Sequence, residues 1–320
     1  MSDEASPPSF NHPAANVPEG LVLVSTPIGN LGDISARAVA ALQAADLVLC
    51  EDTRITRRLA GIFAIHAPLS PLHDYNEARR VTEILALLAA GRRIALVSDA
   101  GTPLLSDPGF RLVRAAVAAG VAVSAVPGAN AALMALTLSG LPPQPFLFLG
   151  FPPPRSAARR AAFARIAQLE KAGLAATLLW YEAPHRLAAT LADLATSLGP
   201  RDAAVARELT KRFEEVRRGT LAELAAHYGA LPVRGEITLV VAPAAAWEPA
   251  EAELEARVAR LLAQDMSVRE VAALVAAETG ASRREVYARA LALNRNRAES
   301  ARRRSRVRRR GGSGQPCSED

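Results

Sequence analysis

The sequence predicts an α/β protein built from two α/β domains, a parallel-sheet N-terminal domain and a mixed-sheet second domain, followed by a small helical segment. The chain has 320 residues, which suits about two domains. Half of its residues are hydrophobic and 22% are charged, a balance typical of globular proteins and not of disordered ones. Short apolar runs alternate with longer helical patterns, which is the arrangement of βα units.

The N-terminal domain is predicted over residues 21–140. Nearly continuous apolar runs are typical of strands that are buried on both faces, and helices of about 10 to 15 residues between them are the crossovers of a parallel sheet. Residues 1–20 contain acids and four prolines in place of a basic start and an apolar stretch, so they predict a disordered leader and not a signal peptide. The strand candidates are LVLVST (21–26), LVLCE (47–51), LSPLH (69–73), RIALVSD (93–99) and VAVSAVP (121–127).

A second α/β domain is predicted over residues 155–245, after the proline-rich linker LPPQPFLFLGFPPP at 141–154. Only two clear helices, at 155–171 and 186–198, accompany five strand candidates. Fewer crossovers require some antiparallel pairing, so a mixed sheet is expected. The strand candidates are FLFLGF (146–151), ATLLWYE (176–182), AAVARELT (203–210), EEVRRGTL (214–221) and EITLVVAP (236–243).

The C-terminal part predicts a helical segment at 250–293 that contains a helix-turn-helix. Ser267 and Ser282 fit helix N-caps, and Gly280 fits the C-cap between them. The arginine-rich tail at 294–320 is predicted to be disordered.

The net charge of the chain resides in this tail. Residues 295–320 hold nine arginines and three acids, a net of +6 that equals the formal charge of the whole chain, so residues 1–294 carry 29 basic and 29 acidic groups. An arginine-rich stretch neutralises nucleic-acid phosphates without sequence preference. Any RNA affinity that rests on net charge is therefore a property of the tail.

Several classes of site are not supported. Two cysteines, Cys50 and Cys317, are too few for a disulfide framework and lack metal-ligand spacing, which predicts a reducing, cytoplasmic compartment and no metal. No stretch approaches the roughly 18 apolar residues that a membrane helix needs, so no membrane partner is expected. The sequence has no G-x-G-x-x-G motif after the first predicted strand and no G-x-x-x-x-G-K-[ST] motif, so neither a dinucleotide nor a triphosphate site is supported.

Ligand chemistry is predicted at the carboxyl ends of the strands, where open α/β sheets bind ligands. The segment SDAGTPLLSDPGF (98–110) follows a buried strand and combines glycine and proline with acidic and hydroxyl side chains. Such groups without a phosphate cradle suit a cationic, phosphate-free cofactor such as S-adenosylmethionine. Similar loops follow three other strands, at STPIGNLGDIS (25–35), CEDTR (50–54) and PGANAA (127–132).

The four loop segments at 25–35, 50–54, 98–110 and 127–132, together with YEAPHR (181–186) and ARELTKRFEE (206–215), follow one another in a characteristic order and spacing. In this they resemble the tetrapyrrole-methylase superfamily. Within it they resemble the branch that methylates a cytidine ribose 2′-oxygen in 16S ribosomal RNA. The resemblance covers residues 21–293 and implies a homodimer that binds S-adenosylmethionine in a cleft between its two domains. The string Gly101-Thr102-Pro103 departs from the Gly-Asp-Pro of tetrapyrrole-acting relatives, which favours the RNA branch.

The resemblance also implies roles for individual residues. A ribose hydroxyl needs a proton acceptor to become a good nucleophile, and the candidates are Asp33, Asp99, Glu182 and His185, with a purely positional mechanism also open. The substrate-binding residues would be Pro27, Gly29, Asn30, Arg54 and Arg186. The cofactor-binding residues would be Asp99, Ala100, Gly101, Thr102, Pro103, Ser106, Asp107, Ala129, Asn130, Glu182, Ala183, Leu209 and Thr210.

Two other functions remain open at this stage. One is methyl transfer to a tetrapyrrole carbon of the precorrin type, and the other is a non-catalytic RNA-binding or assembly factor that uses the helix-turn-helix and the tail. Nothing marks base-reading side chains on the helix-turn-helix, so the expected partner is 16S rRNA or the small ribosomal subunit and not DNA.

Deleting residues 295–320 is expected to leave S-adenosylmethionine binding unchanged while RNA affinity falls and its salt dependence flattens, because fewer phosphates are neutralised. Calorimetry with the cofactor and filter binding of RNA at increasing salt measure the two effects. Loss of cofactor binding on deletion would contradict this division of roles.

Overall fold

A computed structural model describes residues 19–244, 251–264, 266–279 and 282–295. Both sheets lie in one compact unit, made of the described residues up to Phe163 together with Ala176–Ala242, and a second unit comprises Ala164–Ala175 and the described residues from Pro243 onward. The predicted leader lies outside the described residues except for its last two positions, as does the predicted tail except for its first two. The predicted domain boundaries stay a prediction.

The first sheet is parallel throughout, with strand order β3-β2-β4-β1-β5. All five strand candidates of the N-terminal part form its strands, and a helix follows each strand, which confirms the predicted βα alternation. Because the strands are parallel, the segments that follow them lie at one edge of the sheet. The strands are β1 (Leu21–Val24), β2 (Leu47–Cys50), β3 (Leu69–Pro71), β4 (Ile94–Val97) and β5 (Val123–Val126), and the helices are α1 (Ala36–Gln43), α2 (Thr53–Ile62), α3 (Glu77–Ala89), α4 (Phe110–Ala118) and α5 (Ala131–Ser139).

Both faces of the central strands β1, β2 and β4 are buried, which explains why these strands are apolar at successive positions. Val22 and Ala95 point to the face that packs on α1 and α2. Their neighbours Leu21 and Ile94 point to the opposite face, which packs on α3 and α4. Alternate residues of a strand face opposite sides of the sheet, so each of the central strands β1, β2 and β4 contributes to two hydrophobic clusters.

The second sheet is mixed, as predicted, with strand order β6-β7-β10-β8-β9. The β6–β7 pair is parallel, and the other pairs are antiparallel. The first strand candidate of this part forms β6, so the segment predicted as a linker at 141–154 contributes an edge strand. The strands are β6 (Phe146–Phe148), β7 (Thr177–Glu182), β8 (Asp202–Arg207), β9 (Glu215–Thr220) and β10 (Ile237–Val241).

Three helices accompany this part of the chain, at α6 (Ser156–Lys171), α7 (Leu187–Leu198) and α8 (Leu221–Gly229). The sequence analysis identified the first two and missed α8. Its start carries a capping box, in which Thr220 accepts from the backbone N–H of Glu223 while the Glu223 carboxylate accepts from the N–H of Thr220. This T-x-x-E signature is visible in the sequence and could have found the helix.

The C-terminal unit is helical, as predicted, with α9 (Glu251–Leu262), α10 (Val268–Thr279) and a further helix over 283–295. Ser267 caps α10 as predicted, since its hydroxyl accepts from the N–H of Glu270 at 3.2 Å. Val258, Val271 and Val286 are fully buried in one cluster. The predicted turn at Gly280 lies outside the described residues. No helix within the described ranges has the length and apolar character needed to cross a membrane.

Helix α4 receives its N-terminal cap from another helix. Its own N-cap, Gly109, has no side chain to accept a hydrogen bond. Glu77, the buried first residue of α3, fills that role, because its Oε1 accepts from the backbone N–H of Leu112 at 3.0 Å. A carboxylate is also favoured at a helix N-terminus by the helix dipole. Since residues 98–109 lead directly into α4, this contact fixes one end of the segment predicted to bind the ligand.

Substituting Glu77→Ala is expected to lower the free energy of unfolding by about 1.5–3 kcal/mol, because it leaves a buried N–H without its charged acceptor. Glu83→Ala, on the exposed part of the same helix, is the matched control, with an expected loss below about 1 kcal/mol. Urea denaturation measures both. Equal losses in the two variants would contradict the capping role.

Candidate functional site

The loops after β1 and β4 are joined by backbone hydrogen bonds. Thr26 N–H donates to the carbonyl of Gly101 at 2.9 Å, and Gly101 N–H donates to the carbonyl of Thr26 at 3.1 Å. Gly101 has φ +86°, and a Cβ at this position would lie 3.2 Å from Cγ2 of Ile28. Positive φ and the close neighbour both favour glycine here. The junction of the two loops therefore requires the glycine of the Gly101-Thr102-Pro103 string.

The Thr102 hydroxyl joins the loops of three strands. It donates to the carbonyl of Ala129 at 3.2 Å and accepts from Asn130 Nδ2 at 3.2 Å and from Ser25 Oγ at 3.4 Å. A hydroxyl has one proton and two lone pairs, and all three are used. Asn130 in turn caps α5 by accepting from Leu133 N–H at 3.0 Å. Thr102 therefore fixes the positions of the loops after β1, β4 and β5.

The segment after Thr102 is tightly curled. Leu104 and Ser106 adopt φ of +74° and +71°, values that are rare for residues other than glycine. Gly109 has φ +122°, and a Cβ there would lie 2.6 Å from Cδ2 of Leu96. Residues in such conformations are strained and cluster at ligand-binding sites. The curl brings Ser106 and Asp107 to the wall of a cavity.

This first cavity has a volume of about 340 Å³ and is lined by segments from both sheets of the compact unit. Four carboxylates lie on its wall, at Asp99, Asp107, Glu182 and Glu236, whereas no Lys, Arg or His is among its lining residues. The remaining wall is largely apolar or backbone. It comprises Ile28, Ala100, Gly101, Thr102, Leu105, Ser106, Ala131, Phe151, Tyr181, Ala183, Pro184, Ala206, Leu209, Gly235, Ile237 and Thr238.

Most of the residues expected to bind the cofactor line this cavity. The four that do not are Pro103, Ala129, Asn130 and Thr210. Ala129 and Asn130 act on the cavity indirectly, through their hydrogen bonds to Thr102. Those that line it are Asp99, Ala100, Gly101, Thr102, Ser106, Asp107, Glu182, Ala183 and Leu209.

The sequence analysis missed the contribution of the start of β10 and of Phe151. Residues 235–238 line the cavity although they carry no motif of their own. The signal available in the sequence was a glycine, Gly235, directly before the strand candidate at 236–243. In the structure this residue has φ +90°, and a Cβ there would lie 2.4 Å from the Glu208 side chain. Glu208 Oε1 accepts from Glu236 N–H at 3.1 Å, so the ARELTK loop holds this segment in place.

Two of the cavity carboxylates, Asp99 and Asp107, have raised pKa values. Burial, together with repulsion from Glu51, Asp99 and Asp74, raises the pKa of Asp107 to about 7. Burial also raises the pKa of Asp99, and the nearby Asp52 carboxylate raises it further, against a hydrogen bond from Asp52 N–H that lowers it. An opposite charge would relieve this repulsion, so the cavity favours a cationic ligand.

Two of the four cavity carboxylates already have partners: Glu236 Oε2 accepts from Lys211 Nζ at 3.1 Å, and both oxygens of Glu182 are bound. Oε1 accepts from Ala183 N–H at 2.7 Å and pairs with Arg186 at 2.5 Å, and Oε2 accepts from Thr190 Oγ1 at 2.5 Å. The residue is only 2% exposed. Arg186, expected to contact substrate, is thus engaged in this buried pair, which shapes the cavity wall around Ala183.

A second cavity, of about 300 Å³, lies between the loop after β1 and helix α2. Pro27 and Gly29, both expected to bind substrate, line it, and Asp99 lies on its wall as well as on that of the first cavity. The other lining residues are Thr26, Leu31, Ile55, Thr56, Arg58, Leu59, Ile62 and Ser98.

The remaining expected site residues line neither cavity. Asn30 accepts from Gly32 N–H at 2.9 Å and so caps the short 3₁₀ turn that ends at Asp33. Arg54 is 83% exposed and pairs with Asp52 at 2.6 Å. Asp33 and His185 are exposed.

Comparisons with known proteins give two matching family models and several similar proteins. A family model described as tetrapyrrole (corrin/porphyrin) methylases matches residues 20–225, and one described as the RsmI C-terminal HTH domain matches residues 248–294. Ribosomal RNA small subunit methyltransferase I of Mesorhizobium japonicum is 44% identical over 283 residues, which cover 88% of this chain and 94% of that protein. The protein of the same name from Xylella fastidiosa strain Temecula1 is 45% identical over 275 residues, 85% of this chain and 99% of that one.

Solved structures are similar in fold. The methyltransferase CobJ aligns with a TM-score of 0.53 at 20% identity, over 72% of this chain and 97% of that one. Diphthine synthase aligns with a TM-score of 0.51 at 16% identity, over 69% and 90%. The first family model covers well over half of the chain, and the relatives above 40% identity extend over more than four fifths of it. The chain therefore belongs to the tetrapyrrole methylase family and, within it, to the family of ribosomal RNA small subunit methyltransferase I.

Proposed function

We propose that this protein transfers a methyl group from S-adenosylmethionine to the 2′-hydroxyl of a cytidine ribose in 16S ribosomal RNA of the small subunit. The observation that carries the proposal is the acidic first cavity, which suits a cationic cofactor, in a chain whose curated relatives are named as small-subunit rRNA methyltransferases. The proposal includes the cytoplasmic location expected from the low cysteine content and the homodimer that the resemblance implies.

The residues of the first cavity fit S-adenosylmethionine. Its volume of about 340 Å³ lies in the range of small-molecule sites. Asp99 and Asp107 offer carboxylates to the sulfonium and ammonium charges. Burial is the main cause of the raised pKa of Asp107, and no ion pair joins this carboxylate to a described residue. Apolar side chains such as Leu105, Leu209 and Ile237 offer a surface for the adenine ring. A polyphosphate cofactor would meet only repulsion from this wall.

S-adenosylmethionine, when bound, supplies a methyl group on a positively charged sulfur, which an oxygen nucleophile can displace. The protein contributes orientation, because the Thr102 hydrogen bonds fix three of the loops around the cavity. Holding two reactants in attack geometry can account for about 7–11 kcal/mol of a barrier. The apolar wall limits the access of water, and the buried Glu182–Arg186 pair keeps the Ala183 backbone in place.

The purified protein is expected to bind S-adenosylmethionine and to transfer labelled methyl to small ribosomal subunits or to 16S rRNA that lacks the modification. Mass-spectrometric mapping of ribose methylation in 16S rRNA from cells with and without this gene identifies the nucleotide. Retained cofactor binding without transfer to any ribosomal substrate would exclude this function and favour a binding or assembly role.

Cofactor affinity is expected to depend on pH through Asp107. With a pKa of about 7 in the free protein, this carboxyl is largely neutral below pH 6 and charged above pH 8. A cation binds the charged form, so the association constant should rise by about tenfold per pH unit below pH 7 and level off above it. Calorimetric titration from pH 5.5 to 8 measures the profile.

The variant Asp107→Asn removes this charge and should bind more weakly at pH 8 with a smaller pH slope. Asp202→Asn is the control, since Asp202 is exposed at the start of β8 and lines neither cavity. A wild-type affinity that does not change from pH 5.5 to 8 would show that Asp107 does not face the cation.

A further inference from the structure

The two cavities meet at one side chain. Asp99 lies on the wall of both, whereas Asp107, Glu182 and Glu236 line only the first. We infer that the second cavity receives the target nucleotide and that Asp99 accepts the proton of its ribose hydroxyl. This inference rests on the proposed function and goes further, because it assigns a location to the acceptor and a role to one of four candidate residues.

The position of Asp99 suits this role. Its Oδ1 accepts from Asp52 N–H at 3.1 Å, which holds the carboxylate in place at the end of β4. Its Oδ2 accepts no hydrogen bond from any described residue, so one oxygen is available. A general base must lie within hydrogen-bonding reach of the proton that it removes, and a carboxylate between two cavities can face a nucleophile in one and a methyl group in the other.

The other three candidates are less suited. Glu182 binds Ala183, Thr190 and Arg186 with its two oxygens, so a substrate hydroxyl would have to displace one of these partners. Asp33 and His185 are exposed and line neither cavity.

The wall of the second cavity suits a nucleotide. Leu31, Ile55 and Ile62 present apolar surface, and their side chains are 45%, 46% and 57% exposed. This surface can cover the face of a sugar or a base. Arg58 lies on the same wall and forms no ion pair with a described residue, so its guanidinium is free to bind a phosphate. The first cavity has no such cation among its lining residues, and so the two cavities differ in the charge of the ligand that they favour.

The transfer balances with these groups alone. The ribose O–H proton passes to the Asp99 carboxylate while the oxygen forms a bond to the methyl carbon. The carbon–sulfur bond breaks, and its electron pair stays on the sulfur of S-adenosylmethionine. A neutral hydroxyl, a carboxylate and a sulfonium thus become a methyl ether, a carboxylic acid and a neutral thioether.

Two variants and one control test the assignment with small ribosomal subunits that lack the modification. Asp99→Asn keeps an oxygen that can accept from Asp52 N–H, so the fold should persist. At saturating S-adenosylmethionine its kcat should fall by about 10²-fold or more, with little change in KM for the subunits. Ile55→Trp fills the second cavity and should raise KM for the subunits by about tenfold or more, with an unchanged Kd for the cofactor.

Val117→Trp is the matched control, because Val117 is 62% exposed on α4 and lines neither cavity. It should behave as wild type. An Asp99→Asn kcat within threefold of wild type would overturn the role of Asp99, and an Ile55→Trp KM equal to that of the control would overturn the location of the nucleotide. If the wild-type protein itself transfers no methyl group, the proposed function fails, and this inference fails with it.

Discussion

The hydrogen bonds of the Thr102 hydroxyl are the constraint on which the site depends. They join the segments that follow β1, β4 and β5, and those segments provide much of the wall of the first cavity. The residue type matters, because the hydroxyl donates to the Ala129 carbonyl while it accepts from two other groups. An ionised aspartate in the same position can only accept, so it would leave that carbonyl without its donor. The departure from Gly-Asp-Pro is thus matched by the local hydrogen bonding.

The two cavities differ in the charged side chains on their walls. The first cavity holds four carboxylates and no basic side chain among its lining residues, and burial together with repulsion from Glu51, Asp99 and Asp74 raises the pKa of Asp107. The second cavity has Arg58 on its wall and lies against α2, which also carries Arg54 and Arg57. A cationic cofactor and a polyanionic RNA would therefore favour different sides of Asp99. The arginine-rich tail at 295–320 adds positive charge in a part of the sequence that contributes no described residue to either cavity wall.

Much of the fold could be predicted because it follows from local patterns. The central strands β1, β2 and β4 are buried on both faces and apolar throughout, and this explains why the parallel sheet could be predicted from the sequence. Helix α8 was missed although its capping box was legible, because its short apolar pattern lies between two strands. Gly235 marks a special turn before β10, but the position of residues 235–238 on the cavity wall depends on the pairing of β10 with β7 and β8. No local pattern encodes which distant strands pair.

The sequence by itself determined the βα alternation, the mixed second sheet, the loops that carry the expected ligand-binding residues and the family. These follow from side-chain periodicity and from short strings whose backbone requirements are local. The tertiary structure alone decided which of the polar side chains can bind a ligand and which are already bound to other protein groups. Glu182 and Arg186 neutralise each other in the interior, whereas Asp99 keeps one oxygen free where two cavities meet. Whether a polar side chain has a protein partner depends on the groups that folding brings together from distant parts of the chain. A sequence motif does not specify those groups.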